Sequence, residues 1–229
     1  MRVNTNFDNG WSHPIPRTVP PFRHYGNELV RTTCQVVPLI ACIRLKNLRY
    51  IFLQMMALDN TLTITLNTWI ISDTHFFHEN IGRYCNRLEN WQELIIKNWN
   101  DLISPDENVL HLGDFALGKK SNFELLTGIL NGRLFLIQGN HDRLSQTYCE
   151  THGITLIKDS IQIEMEDRVK LIFSHRPIIP LEDGWINLHG HIHNVPPPPE
   201  GSTLGPNHIN MSIEVREYRP WQLGDYQFE

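Results

Sequence analysis

From Leu62 onward the chain alternates between apolar and polar stretches with a regularity that the residues before it lack. The apolar run from Asn67 to Ser72 predicts a short strand. Trp91, Leu94, Ile95, Trp99, Leu102 and Ile103 recur at helical spacing and predict an amphipathic helix over Glu89 to Ile103, broken by Pro105-Asp106. Val109 to Leu112 predicts a second, buried strand. Asn122 to Leu130 predicts a second helix stopped by Asn131-Gly132, and Leu134 to Gln138 a third strand. The order β-α-β-α-β favours parallel strands joined by right-handed crossovers. Beyond His152 the pattern changes. Ile161 to Met165 and Val169 to Phe173 flank Glu166-Asp167-Arg168 and predict a hairpin. Ile186 to His189, Asn210 to Val215 and the segment near Trp221 predict further strand, and Pro196 to Pro199 with Gly201, Gly205 and Pro206 a surface loop. The expected result is a second sheet packed on the first, with helices outside.

Residues 1–60 read differently. Pro14, Pro16, Pro20 and Pro21 argue against a helix or inner strand over Trp11 to Phe22. Leu39 to Leu58 is compatible with one helix, but its charges do not fall on one face. The expectation is a poorly ordered extension ahead of a domain spanning 61–229. Met55 and Met56 closely precede the first clear strand, which suggests a true start there; an intact mass beginning at Met1 in the native protein would refute it.

Chemistry concentrates where the predicted strands end. Asp73-Thr74-His75, Gly113-Asp114, Gly139-Asn140-His141-Asp142, Ser174-His175 and Gly190-His191-Ile192-His193 each close an apolar run. In an open parallel sheet the site lies at the carboxyl ends of the strands. Taken singly, each segment has an ordinary explanation: a capping Asp, a Gly-Asp turn, a polar loop, a packed histidine. Together they offer carboxylates, imidazoles and one amide oxygen, a donor set that suits borderline divalent ions such as manganese, iron, zinc or nickel. Two such ions side by side are the apparatus for in-line attack on phosphorus.

Composition adjusts this picture only slightly. The 229 residues fit one domain with extra sequence, and the net charge of −5 gives no electrostatic reason to favour nucleic acid as a partner. Histidine is enriched, at 12 residues, five of them in the segments above. Cys34, Cys42, Cys85 and Cys149 form no Cys-x-x-Cys pair and read as free thiols of a reducing compartment. The longest apolar stretch, Val36 to Leu58, is interrupted by Arg44, Lys46 and Arg49 and is no membrane span. A cytoplasmic protein without a membrane partner is expected.

The motif order Asp-x-His, Gly-Asp, Gly-Asn-His-Asp, His, Gly-His-x-His resembles the calcineurin-like metallophosphoesterase superfamily, from about Thr68 to Val215. Ser72 to His78 and His111 to Phe115 resemble its small bacterial and phage members. The resemblance implies an α/β fold, a four-layer α/β/β/α sandwich of two mixed sheets, with a dinuclear centre. It implies that Asp73, His75 and His193 hold one metal, that Asn140, His175 and His191 hold the other, and that Asp114 bridges them. A hydroxide shared by the two metals would attack phosphorus, and His141 would face the substrate and protonate the leaving oxygen. The expected substrate is a small phosphodiester or phosphomonoester of nucleotide type, with manganese the expected metal. A nuclease or a non-catalytic scaffold are the alternatives. Phe115-Ala116-Leu117-Gly118 replaces the Asp-Arg-Gly of Ser/Thr protein phosphatases and symmetrical dinucleotide-polyphosphate hydrolases, and Asp142 replaces their usual Glu, which argues against both. Asp142 is expected to cap the following helix or to orient a ligand. Arg87 is expected either to sit at the surface or to contact phosphate, and His78 to approach the substrate.

Overall fold

The computed structural model describes residues 62–165, 168–195 and 204–226. The expected extension, the helix proposed within it and the Pro196 to Pro199 loop lie outside the described residues.

Short runs of β-branched and large apolar residues form two sheets. The first has the strand order β4-β3-β2-β1-β9. It comprises β1 (Trp69–Ile71), β2 (Asn108–His111), β3 (Arg133–Ile137), β4 (Ile154–Ile157) and β9 (Trp221–Gln222). Strands β1 to β4 run parallel and β9 closes the edge antiparallel, with Trp69 opposite Gln222. The second sheet, β5-β6-β7-β8, comprises β5 (Ile161–Glu164), β6 (Lys170–Ser174), β7 (Trp185–His189) and β8 (His208–Asn210). The hairpin expected from the sequence is the antiparallel β5-β6 pair, and β7 and β8 extend it in parallel.

Alternation along each strand assigns the layers, because successive side chains point to opposite faces. Trp69 and Ile71 of β1 face a core made with the helices, while Ile70 between them faces the second sheet. Ile70, Leu110, Leu112, Phe135, Leu171, Phe173, Leu188 and Ile209 form the inter-sheet core. The other core is built by α1 (Ile81–Tyr84), α2 (Trp91–Leu102), α3 (Lys120–Ile129) and α4 (Gln146–Thr151). Helix α2 buries Trp91, Ile95 and Trp99, the stripe that its spacing predicted. The protein is thus an α/β sandwich of two mixed sheets. Among the described residues its helices gather on the outer side of the first sheet.

One expected strand differs. Only Asn210 of the Asn210 to Val215 stretch is in β8; Ile213–Arg216 is a 3-10 turn. Ile213 and Val215 alternate as in a strand, but Ile213 turns into the helical core while Val215 is exposed. Among the described residues, no helix is long and apolar enough to cross a membrane.

Candidate metal centre

The five motif segments follow the carboxyl ends of β1, β2, β3, β6 and β7. Backbone hydrogen bonds lace the loops together beyond the strands. The Asp73 and His75 N–H groups donate to the Gly113 and Asp114 carbonyls at 3.0 and 2.9 Å, and Gly190 N–H to the His175 carbonyl at 3.0 Å. The glycines in these motifs permit close backbone approach. A Cβ on Gly139 would lie 2.2 Å from Asp114 Oδ1, and one on Gly190 would lie 1.9 Å from Ser72 Oγ and 2.2 Å from Asp73 Oδ2. Asp73, His75, Asp114, His191 and His193 all take left-handed backbone conformations, with φ between 49° and 71°. Such conformations cost about 1–3 kcal/mol each away from glycine and persist where surrounding structure imposes them.

All the residues expected from the sequence converge here. Asp73, His75 and His193 form one group whose donor atoms lie within 4.8 Å of one another, and Asp114, His175 and His191 form a second. Asp73 Oδ2 is held by the His191 N–H at 2.8 Å and the Ser212 hydroxyl at 3.0 Å. That leaves Oδ1, which is 3.9 Å from both His75 Nε2 and His193 Nε2. Asp114 Oδ1 accepts the His141 N–H at 2.8 Å, while Oδ2 lies 3.4 Å from both His75 Nε2 and His175 Nε2. Its carboxylate therefore faces both groups. Asn140 Oδ1 joins the second group, 3.0 Å from His175 Nε2.

The residues fit a cation. Asp73 Oδ1 and His75 Nε2 are buried without a hydrogen-bond partner, although buried polar atoms are nearly always paired. Both belong to the first donor group, so a single ion there would satisfy both. Protonation states favour ligation at two of these residues, His75 and His191. Burial, reinforced by the charges of His193 and Arg87, holds His75 down to about 2. Burial and the neighbouring Arg176 hold His191 down to about 4. Both imidazoles are neutral at pH 7 and offer lone pairs. His193 goes the other way. Burial opposes its charge, but hydrogen bonds to Cys85 and Glu214 and the Asp73 charge push it up to about 10. Burial likewise raises Asp73 above the usual carboxylate range.

Sequence reasoning missed most of the supports of this centre; for Asp142 it offered ligand orientation beside the helix cap. Glu214, on the 3-10 turn, accepts from His193 Nδ1 at 3.0 Å. Arg87 holds Glu214 through Nη2 at 2.6 Å and Nε at 2.8 Å, and also donates to the Thr74 and Asp73 carbonyls at 2.8 and 2.6 Å. Arg87 is thus neither at the surface nor free to meet phosphate; its guanidinium is spent on the loop that carries Asp73 and His75. Asp142 does not cap α4, whose capping side chain is Ser145. Its carboxylate instead takes the N–H groups of Asp114, Phe115 and Gly139 at 2.8, 2.9 and 2.9 Å, fastening the second motif loop to the third. His111 bonds the Thr74 hydroxyl at 2.9 Å, and His189 bonds the Gly190 carbonyl at 2.9 Å. Arg176, beside His175, reaches His191 Nε2 at 2.7 Å and Asn140 Oδ1 at 3.3 Å. Its place directly after a motif histidine was the one available signal. His141 is exposed, with its ring 5.2 Å from that of His75 and 5.8 Å from that of His78.

Over 167 residues the chain is 35% identical to an uncharacterised protein of Methanocaldococcus jannaschii, covering 68% of this chain and 86% of the relative. The chain belongs to the family of that archaeal protein. The gene 66 protein of Mycobacterium phage L5 is 26% identical over 161 residues, 56% of this chain and 78% of the phage protein. No known family model matches the chain. Among solved structures, a protein of unknown function from Aquifex aeolicus superposes with a TM-score of 0.51 at 24% identity, over 67% of this chain and 93% of that one. It shares the fold. The nuclease MPE of Pseudomonas putida is a looser likeness, with a TM-score of 0.40 at 19% identity over 56% of this chain and 62% of that one.

Proposed function

We propose that this family member is a metal-dependent phosphoesterase of the calcineurin-like type, acting on a small phosphodiester or phosphomonoester. The observation that carries the reading is the Asp114 carboxylate, with one oxygen 3.4 Å from a histidine of each donor group. That is the geometry of a residue shared by two adjacent cations. Asp73, His75 and His193 would hold one divalent ion, Asn140, His175 and His191 the other, and Asp114 both; manganese is the expected metal. Bound there, the pair would supply a water nucleophile at neutral pH and neutralise charge developing on the phosphoryl oxygens.

The chain's own groups do the rest. His141 is held through its backbone N–H on Asp114 and exposes its ring at the rim of the centre, so it is placed to protonate the leaving oxygen. Arg176 already donates toward donor atoms of the second group. With a cation held by His191 and Asn140, its planar fork would be free to meet two oxygens of the phosphoryl group. Glu214 fixes the His193 ring and directs Nε2 at the first position, as carboxylates commonly do for ligating histidines.

The test is hydrolysis of bis-p-nitrophenyl phosphate and p-nitrophenyl phosphate by metal-stripped protein with manganese added back, beside Asp114→Ala. Manganese-dependent turnover that the variant lacks is expected. Turnover unaffected by stripping, or retained in Asp114→Ala, would overturn the reading.

A further inference from the structure

A cavity of about 340 Å³ opens beside the metal centre, and His141 forms part of its wall. Its other walls are Ala116, Leu117, Gly118, Phe123, Leu144 and Arg143. Ala116 and Phe123 are almost wholly buried and give the otherwise polar lining an apolar part. Arg143 is exposed and makes no hydrogen bond or ion pair among the described residues. The volume sits at the lower end of the range for small-molecule pockets, enough for one nucleoside-sized group.

We propose that this cavity is the leaving-group subsite, and that it takes a nucleoside carrying a second phosphate. The proposal rests on the phosphoesterase reading above and deepens it. The residue placed to protonate the leaving oxygen marks the side on which that oxygen departs. His141 lines this cavity, so the departing alcohol lies in it. A lining of mixed polar and apolar surface suits the flat face of a base and the hydroxyl-bearing skeleton of a sugar, and neither group needs a fixed charge. The single unpaired guanidinium at the wall suits an anion, and Arg matches phosphate oxygens in bidentate fashion. The substrate class is therefore a nucleotide phosphodiester with a further phosphate beyond the scissile bond. In the reaction, the bond from phosphorus to the leaving nucleoside oxygen breaks and a bond from phosphorus to a water oxygen forms. The departing oxygen takes its proton from His141, and the water proton passes to solvent.

The experiment compares thymidylyl-thymidine with the same compound bearing a terminal phosphate at either end, using the manganese-loaded full chain. One terminal phosphate is expected to raise kcat/KM about tenfold or more. Arg143→Ala should bring that ratio close to one, and Arg143→Lys should restore part of it. A ratio near one in the unmodified protein, or one unchanged by Arg143→Ala, would overturn the proposal. A second readout needs no turnover. Thymidine bisphosphate added to metal-stripped protein should shift the NMR methyl signals of Ala116, Leu117 and Leu144, and shift them less in Arg143→Ala. Shifts confined to other methyls would overturn the proposal. If no diester is hydrolysed but the methyl shifts depend on Arg143, the phosphoesterase reading fails and the subsite stands. If manganese-dependent hydrolysis occurs without those shifts, the subsite fails and the reading stands. The second phosphate has two sources, separated by a longer single-stranded oligonucleotide. Cleavage as fast as that of the phosphorylated dinucleotide supports the subsite with a nucleic-acid backbone as its source, and slow cleavage supports it with a free nucleotide.

Discussion

Asp114 and His141 lie on neighbouring loops and share a hydrogen bond, yet the proposed function gives them different burdens. Asp114 is buried with one oxygen facing both donor groups, while the ring of His141 reaches the rim without joining either. If Asp114 is shared by two cations as proposed, Asp114→Ala should strip both. His141→Ala should keep them and lose turnover by about 10²–10⁴-fold, the usual contribution of a general acid. Elemental analysis beside turnover checks both; loss of metal in His141→Ala would show that the two roles are not separate. Glu214 acts at one remove. Glu214→Gln keeps the shape but removes the charge that faces His193 and Arg87. It should weaken the first cation about 10–100-fold, as loss of a ligand-orienting carboxylate does, read as manganese affinity by titration. Equal affinity in the variant would leave Glu214 as packing alone.

At the scale of elements, the loops after the strands are as tightly specified as the strands themselves. Gly190→Ala would drive a Cβ into Ser72 and Asp73, so loss of both stability and bound metal is expected. Gly128 in α3 has nothing within 4 Å of its Cβ position, and Gly128→Ala should stabilise the protein by about 0.5–1 kcal/mol through helix propensity. Thermal melts of the two variants moving in the same direction would contradict this account of the loops. The strands and helices around this framework were legible because burial and periodicity coincide: Trp91, Ile95 and Trp99 fall on one face and are buried on it. The convergence of the residues expected as donors was legible because each motif segment follows the end of a strand. The Ile213–Arg216 turn was not, since Ile213 and Val215 alternate as a strand would and only the fold shows them parting. Arg87 was equally opaque. Its partners, Glu214 and the carbonyls of Asp73 and Thr74, include a residue 127 positions away that no local pattern connects to it.

For the whole molecule, buried imidazoles tie stability to pH. Burial holds His111 down to about 3 and His189 down to about 4, and His75 to about 2. The unfolded chain takes up a proton on each as the pH falls below about 6.5, and the folded chain does not. Their stabilisation is complete above that pH and is lost as the pH falls toward those values, at about 1.4 kcal/mol per pH unit for each. Asp142 has the opposite sign. Burial raises it to about 6, so between pH 6 and 4 the folded chain holds a proton that the unfolded chain releases. Asp73, also raised by burial, works in the same sense. With His191, also held down to about 4, four imidazoles against two carboxyls leave a net loss. The urea midpoint of the metal-stripped protein should fall steadily from pH 6.5 to 4.5, and a flat or rising profile would contradict the assignment.

Asp73 accepts the hydroxyl of Ser212 across a separation of 139 residues, and Glu214 and β9 come later still. Synthesis proceeds at about 5–20 residues per second, so the first donor residue emerges on the order of ten seconds before the last of its supports. For that interval Asp73 and His75 exist on the nascent chain without the groups that aim them. On the proposed reading, the centre would be ready to take metal only after translation has passed Glu214.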